Sequence, residues 1–119
     1  MITIYGYSPS GNCHKLRMLL GHLGRDYRWV ETDSPHGATR TAAYLAKNPN
    51  GKVPMIVHDG TPIWESAAIT MYLGETYGVE KGLYPRPGPK RGEAMKWIVW
   101  GNVTLADAVG RWLREGGAS

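Results

Sequence analysis

The stretch "SPSGNCHK", residues 8–15, places hydroxyl, amide, thiol and basic groups in one short turn just before a helical pattern. The beginning of a helix has unpaired backbone N–H groups and a positive partial charge, so it stabilises an anion placed against it. A thiolate, belonging to the protein or to a ligand, is an anion that such a turn could activate. The turn therefore predicts either a thiolate site built on Ser10, Asn12 and Cys13 or an ordinary helix start. In the second case Ser10 or Asn12 caps the helix and Cys13 is a small buried residue.

Two later stretches also carry groups that could hold a ligand. In "NPNGKVP", Pro54 begins a strand, a position that favours an edge strand or a cis Val53–Pro54 bond. A cis bond would leave the backbone N–H and C=O of Val53 free to pair with an extended ligand. In "WESAAI", Glu65 and Ser66 begin a helix, where amides and a hydroxyl can receive a carboxylate while Glu65 accepts from an ammonium. Each stretch also has a plainer interpretation, as an edge-strand proline and as a helix cap.

The elements that must position these groups follow from the hydrophobic pattern. Apolar β-branched runs predict strands, apolar residues at i, i+3, i+4 and i+7 predict the first helix, and an Asp-Gly pair predicts a hairpin. The order is strand, helix, strand, helix, two strands of a hairpin and helix, then a Pro/Gly-rich linker and a long helix. A βαβ unit followed by a ββα unit predicts an α/β fold with a mixed four-stranded sheet and helices on both faces.

Composition and charge narrow the class of protein. With 119 residues, 42% of them hydrophobic, the chain can bury a core. A single cysteine excludes an intrachain disulfide, so we expect a reducing, cytoplasmic setting. The net charge of +4 comes from scattered basic residues, which favours a small anionic ligand and no nucleic acid partner. We also expect no signal peptide, no membrane span and no metal site, because the chain lacks a long apolar run and a His/Cys cluster of metal-binding spacing.

The order and spacing of "SPSGNCHK", "NPNGKVP" and "DGTPIWESAAITMYL" resemble the glutathione transferase family, and more narrowly its bacterial members with a serine-type active-site turn. The resemblance covers about Met1 to Tyr84 and implies a thioredoxin-like domain. It also implies a cytoplasmic detoxification enzyme, dimeric and without metal, that conjugates glutathione, its co-substrate, to a small electrophile. The expected organisation is a glutathione-binding domain over 1–78, a linker over 79–90, and the start of a truncated all-helical domain over 91–119.

The resemblance assigns glutathione-binding roles to the two later stretches. Val53, ahead of a cis Pro54, would bind the cysteinyl backbone of glutathione. Lys52 would contact the peptide or its glycyl carboxylate, while Glu65 and Ser66 would hold the γ-glutamyl end.

In the opening turn the resemblance implies Ser10 as the catalytic residue of a Ser-x-x-Cys pattern. Its hydroxyl would donate to the glutathione sulfur and lower the pKa of the thiol. Asn12 could also donate to the sulfur. Some relatives instead use a cysteine of this turn for thiol–disulfide exchange, and Cys13 lies about where that residue would be. Where some relatives carry a histidine for the glycyl end, this chain has Thr39 and Arg40, and the contact would pass to Arg40.

Three functions are consistent with these residues. They are conjugation with Ser10 stabilising the thiolate, glutathione-dependent exchange at Cys13, and a non-catalytic module that binds glutathione or a protein. Because much of the family's electrophile pocket belongs to the all-helical domain, we expect the glutathione half of the site to be the more complete one. The final helix carries Trp97, Trp100 and Trp112 on more than one face, which predicts self-association, either through this helix or through the sheet-domain surface that dimers of the family use.

Overall fold

The strands and helices are those of a computed structural model that describes residues 1–116. The strands are β1 (Ile2–Gly6), β2 (Tyr27–Glu31), β3 (Met55–His58) and β4 (Thr61–Trp64). The α-helices are α1 (Gly11–Leu23), α2 (Ala42–Lys47), α3 (Ser66–Leu73), α4 (Pro89–Val99) and α5 (Ala106–Arg114). Two short 3-10 turns, Ser34–His36 and Ala38–Arg40, lie between β2 and α2.

The sheet has the strand order β2-β1-β3-β4. Strand β1 runs parallel to β2 and antiparallel to β3, and β3 pairs antiparallel with β4. The hairpin turns at Asp59 and Gly60, whose φ angles of 49° and 83° are those that an Asp-Gly hairpin turn requires. The predicted mixed four-stranded sheet and its hairpin are therefore confirmed.

The core lies between the sheet and one layer of helices. Alternate residues of β1 are buried, as expected for a strand with one face on the core. The buried cluster joins β1, β3, α1 and α3 through Ile2, Ile4, Leu16, Leu20, Leu23, Ile56, Ile69 and Leu73. On the other face of β1, the Tyr5 ring meets the Tyr44 ring of α2 edge to face, with 6.2 Å between centroids. Helices therefore cover both faces of the sheet, as predicted.

Helix α3 is shorter and less regular than its sequence pattern predicts. The pattern predicts a helix over 65–77, whereas α3 ends at Leu73 and continues as one π-helical turn, Gly74–Gly78. The Tyr84 ring packs against this turn, and a Cβ on Gly74 would lie only 2.7 Å from Tyr84 Cδ1. This close approach comes from a residue of the predicted linker, so a local pattern could not have indicated it.

The predicted long helix over 91–115 is present as a continuous helical segment with an irregular middle. Helix α4 begins at Pro89, and a π-helical section, Trp100–Leu105, joins it to α5. Gly101 lies inside this section, and a glycine weakens the interior of a helix. Residues 117–119, which the sequence assigned to the final segment, lie outside the described residues. The domain boundaries at 78 and 90 stay predictions.

Candidate functional site

A polar cleft of about 420 Å³ lies between the sheet domain and the second half of the long helical segment. It brings together six of the nine predicted site residues. Its lining consists of Asn12, Asn48, Asn50, Lys52, Val53, Pro54, Glu65, Ser66, Asn102, Val103, Ala106 and Asp107. Three stretches that are distant in the sequence thus meet at one place, as predicted.

The loop before β3 forms one side of the cleft. The Val53–Pro54 bond is cis, and no described residue forms a backbone hydrogen bond with the N–H or C=O of Val53. The preceding carbonyl, that of Lys52, accepts from Tyr44 Oη at 2.6 Å and from Asn48 Nδ2 at 2.9 Å. The loop is therefore held from behind while its Val53 edge lies at the cleft.

The start of α3 forms the acidic side of the cleft. Ser66 is buried as the first residue of α3, and Glu65 before it has a φ of 74°, which is uncommon for a residue with a side chain. Asn50 Nδ2 donates to Glu65 Oε1 at 3.1 Å and fixes the direction of that carboxylate. The free amides at the start of α3 attract an anion, and the Glu65 carboxylate next to them attracts a cation.

Ser10 both caps helix α1 and faces a second, adjoining cleft. Its Oγ accepts from the N–H of Cys13 at 3.3 Å, so its own hydroxyl proton stays available to a ligand. The second cleft has a volume of about 410 Å³ and is lined by Ser10, Gly11, Asn12, Lys15, Gly101, Leu105, Ala106, Val109 and Gly110. Asn12 and Ala106 line both clefts. The helix-cap interpretation of Ser10 is confirmed, and its catalytic role stays a prediction that the cap does not exclude.

Asn12 lies at the junction of the two clefts. Its Nδ2 donates to the carbonyl of Asn102, and its Oδ1 accepts from Lys15 Nζ, both at 3.4 Å. The amide of Asn12 thus links the opening turn to the π-helical section of the long segment. Its predicted role as a donor to the glutathione sulfur stays a prediction.

Cys13 is placed away from both clefts. Its side chain is completely buried, and its Sγ accepts from the N–H of Tyr7 at 3.4 Å. A thiol that exchanges with a disulfide needs an accessible sulfur. The burial of its sulfur therefore disfavours Cys13 as a nucleophile and agrees with its interpretation as a small buried residue.

Arg40 is likewise not part of the cleft. It is exposed at the end of its 3-10 turn and does not line the cleft, while the neighbouring Thr39 is buried. The structure thus does not bring Arg40 to the predicted glycyl end. Within the described residues, Lys52 is the basic side chain that lines the polar cleft.

Sequence reasoning missed the asparagines behind the loop and the helical wall of the cleft. Asn48 is 1% exposed, accepts from the N–H of Asn50 at 3.0 Å and holds the Lys52 carbonyl. Its position before Pro49 was a usable signal, because a buried asparagine beside a turn commonly serves the backbone. Asn102, Val103 and Asp107 had no such signal, because only the packing of the long helical segment brings them to the cleft.

Over 1–116, no group of three or more His, Cys, Asp or Glu side chains is placed to hold a metal ion. Within the same range, no helix has both the length and the apolar character needed to cross a membrane.

The strand order, the helices on both faces and the cis proline beside the cleft define a thioredoxin-like protein with a candidate ligand site at the edge of its sheet. The particular family follows from a family-model match. Residues 9–76 match the model for the glutathione S-transferase N-terminal domain, and the chain belongs to the glutathione S-transferase family.

Known relatives agree with this assignment. Glutathione S-transferase GstB of Escherichia coli (strain K12) is 38% identical over 110 residues, which are 91% of this chain and 52% of GstB. The theta class glutathione S-transferase of Xanthomonas axonopodis pv. citri, solved with glutathione bound, is 35% identical with a TM-score of 0.78, over 89% of this chain and 50% of its own.

A more distant structure supports the fold alone. The glutathione transferase URE2P8 of Phanerochaete chrysosporium is 21% identical, with a TM-score of 0.87 over 99% of this chain and 56% of its own. The chain thus spans about half the length of these three relatives.

Proposed function

We propose that this chain binds glutathione in the polar cleft and activates its thiol for conjugation to an electrophile. One observation carries the proposal. A single cleft of about 420 Å³ contains the unpaired backbone N–H and C=O of Val53, the start of helix α3, and charged side chains of both signs, Lys52 and Glu65. Glutathione is a short extended peptide with a zwitterionic amino-acid end and a glycyl carboxylate. Each of its parts has a counterpart in the lining.

The binding roles follow from the chemistry of each group. The free N–H and C=O of Val53 pair with the cysteinyl backbone as an added strand would. The Ser66 hydroxyl and the amides at the start of α3 receive the γ-glutamyl carboxylate, and the Glu65 carboxylate accepts from the ammonium. Asp107 lines the same cleft and adds a second negative charge. Lys52 is the cation for the glycyl carboxylate.

Ser10 acts on the sulfur. Its hydroxyl donates a hydrogen bond to the thiolate, and the positive end of α1 adds to that stabilisation. A free thiol has a pKa of about 8.5, so lowering it by one or two pKa units makes the thiolate a large fraction at neutral pH. The thiol proton leaves to solvent, the sulfur forms a bond to the electrophilic carbon, and the leaving group departs with its electron pair. The adjoining cleft, with Leu105 and Val109, offers apolar contacts to the electrophile.

The proposal includes a cytoplasmic detoxification role. The family assignment and relatives such as GstB support this role. The cleft that Ser10 lines supports it too, because it contains both apolar and polar side chains and so suits varied electrophiles. Exchange at Cys13 is the less favoured alternative because of the burial of its sulfur.

Glutathione binding is the first test. Calorimetry of the wild-type chain should show saturable binding, and the Glu65→Ala/Ser66→Ala variant should bind about 30-fold more weakly, since two hydrogen bonds of about 1 kcal/mol each are lost. The matched control is Glu80→Ala/Ser34→Ala, which changes the same residue types outside the cleft. A folded wild-type chain that does not bind glutathione, or a double variant that binds it equally well, would overturn the proposal.

We also expect the chain to self-associate as a dimer. Trp97 is 60% exposed and Trp112 is 52% exposed on the long helical segment, and large exposed apolar side chains on one element favour association. Trp97→Lys should shift the sedimentation coefficient toward the monomer at micromolar concentration. Leu83→Lys is the control, because Leu83 is similarly exposed outside that segment. A wild-type chain that sediments as a monomer would contradict this expectation.

A further inference from the structure

The carboxylate of Glu31 makes an unusual set of contacts beside the opening turn. Its Oε2 accepts from the N–H of Ser8 at 3.0 Å, and its Oε1 accepts from Ser8 Oγ at 2.6 Å. The same Oε1 accepts from Trp29 Nε1 at 2.8 Å. An exposed carboxylate is normally satisfied by water. Three protein donors on one exposed carboxylate are therefore unusual. Two of them belong to Ser8, two positions before Ser10.

Few other hydrogen bonds hold the turn between β1 and α1 in place. The N–H of Ser10 donates to the Tyr7 carbonyl at 2.8 Å, which closes the turn on itself. The N–H of Tyr7 donates to the buried Cys13 sulfur at 3.4 Å, a weak contact because sulfur is a poor acceptor. Glu31 supplies charge-assisted hydrogen bonds, which are roughly twice as strong as neutral ones. Among the described side chains, Glu31 is therefore the strongest tie between this turn and the sheet.

Glu31 is well suited to serve as a fixed support. It is the last residue of β2 and lies beside Gly6, the last residue of β1, in the parallel register. The N–H of Thr32 then donates to the Gly6 carbonyl at 2.7 Å, so the backbone around Glu31 is tied to the start of the turn. The hydrogen bonds from Ser8 lower the pKa of Glu31 below its usual value, so the carboxylate is ionised at neutral pH.

We propose that Glu31 is a positioning residue for catalysis: by holding Ser8, it keeps the Ser10 hydroxyl directed at the thiolate of bound glutathione. This inference rests on the proposed glutathione function and adds a residue that does not line the polar cleft. Small displacements of a reacting group lower rates strongly, which is why a contact at Ser8 can act on Ser10.

The substitution Glu31→Gln tests the role with little change of shape. A glutamine has one oxygen and one NH₂ group, so it cannot accept from donors on both sides as the carboxylate does. One N–H donor loses its acceptor whichever way the amide points, that of Ser8 in one orientation and that of Trp29 in the other, and the Ser8 contacts lose the charge of the carboxylate. We expect kcat for conjugation to fall about tenfold and the Kd for glutathione to change less than twofold.

The decisive readout is the thiol itself. Thiolate absorbance of bound glutathione, followed against pH, should show the apparent pKa of the thiol raised by about one pKa unit in Glu31→Gln. A merely structural role of Glu31 would change the thermal midpoint and leave this pKa in place. Asp33→Asn is the matched control, because Asp33 is a nearby exposed carboxylate whose side chain contacts His36; it should behave as the wild type does.

A double-mutant cycle separates action through Ser8 from any other route. Ser8→Ala removes the Oγ contact with Glu31 and leaves the backbone N–H contact in place. If Glu31 acts through Ser8, the effects of Glu31→Gln and Ser8→Ala should therefore be clearly less than additive. Fully additive effects, or an unchanged thiol pKa in a folded Glu31→Gln variant, would overturn the inference while the proposed function stands. A wild-type chain that binds no glutathione would instead overturn the proposed function, and the positioning role with it.

Discussion

Replacing Ser10 with alanine should lower kcat/KM for the conjugation of glutathione to an aryl halide by about 100- to 1000-fold. The hydroxyl is the donor placed where negative charge resides on the sulfur, and its removal leaves the thiol mostly protonated at neutral pH. The glutathione affinity should change little, because the groups that hold the peptide line the polar cleft, whereas Ser10 lines the adjoining one. Steady-state rates over a range of glutathione concentrations would separate the two quantities.

Ser10 also caps α1, so its structural role has to be separated from its chemical role. Loss of the cap costs about 1 kcal/mol of unfolding free energy. Ser10→Thr keeps a hydroxyl for both roles and should retain most of the activity, whereas Ser10→Ala should lose it while remaining folded. Cys13→Ser should keep conjugation, because Cys13 is buried away from the cleft. Full activity of Ser10→Ala would refute the role of Ser10, and loss of disulfide exchange in Cys13→Ser would restore the Cys13 alternative.

The sheet domain was predictable because its signals are local. The alternation in β1, the Asp-Gly turn at Asp59 and Gly60, and the helical spacing in α1 each depend on neighbouring residues only. The parallel pair β1–β2 and the hairpin β3–β4 follow from the βαβ-ββα succession, since a parallel pair needs a crossover and a hairpin needs a short turn. The pairing of β1 with β3, which completes the strand order, is not fixed by these rules.

The irregular helices were not predictable for the opposite reason. The π-helical turn after α3 exists beside a Tyr84 ring that packs on Gly74 from ten residues away. The burial of Cys13 and the exposure of Arg40 are likewise consequences of packing. A motif can indicate that a turn matters, but it does not show which side chain of the turn faces the cleft.

The residues of the candidate site likewise fall into two groups, those that a local sequence pattern indicated and those that only tertiary packing brings to the cleft. The residues of the loop and of the α3 start were found because a strand proline and a helix-start Glu-Ser pair are locally unusual. The far wall, with Asn102 and Asp107, depends on how the long helical segment crosses the sheet domain. Glu31 was missed because it acts from the end of a strand, where an acidic residue gives no distinctive pattern.

Asn48 connects the stability of the fold to the affinity of the site, and its replacement by alanine should affect both. Its buried amide holds the Lys52 carbonyl and the Asn50 N–H, so Asn48→Ala removes the acceptor of that N–H and one donor to the carbonyl and opens a small cavity. We expect the free energy of unfolding to fall by about 3 kcal/mol, measured by urea denaturation. Glutathione should bind about tenfold more weakly, because the loop that presents Val53 loses half of its support.

Tyr44→Phe is the matched control for this prediction. The Tyr44 hydroxyl donates to the same Lys52 carbonyl at 2.6 Å, so its removal costs one hydrogen bond, about 1 kcal/mol, and leaves the contact with Asn50 intact. If the loop acts as a preorganised edge for the peptide, the affinity should fall in the order wild type, Tyr44→Phe, Asn48→Ala, in parallel with the lost contacts. If Asn48→Ala loses stability but keeps the wild-type affinity, the loop adopts its binding shape without Asn48. In that case the free Val53 edge, and not its support, accounts for glutathione binding on this side of the cleft.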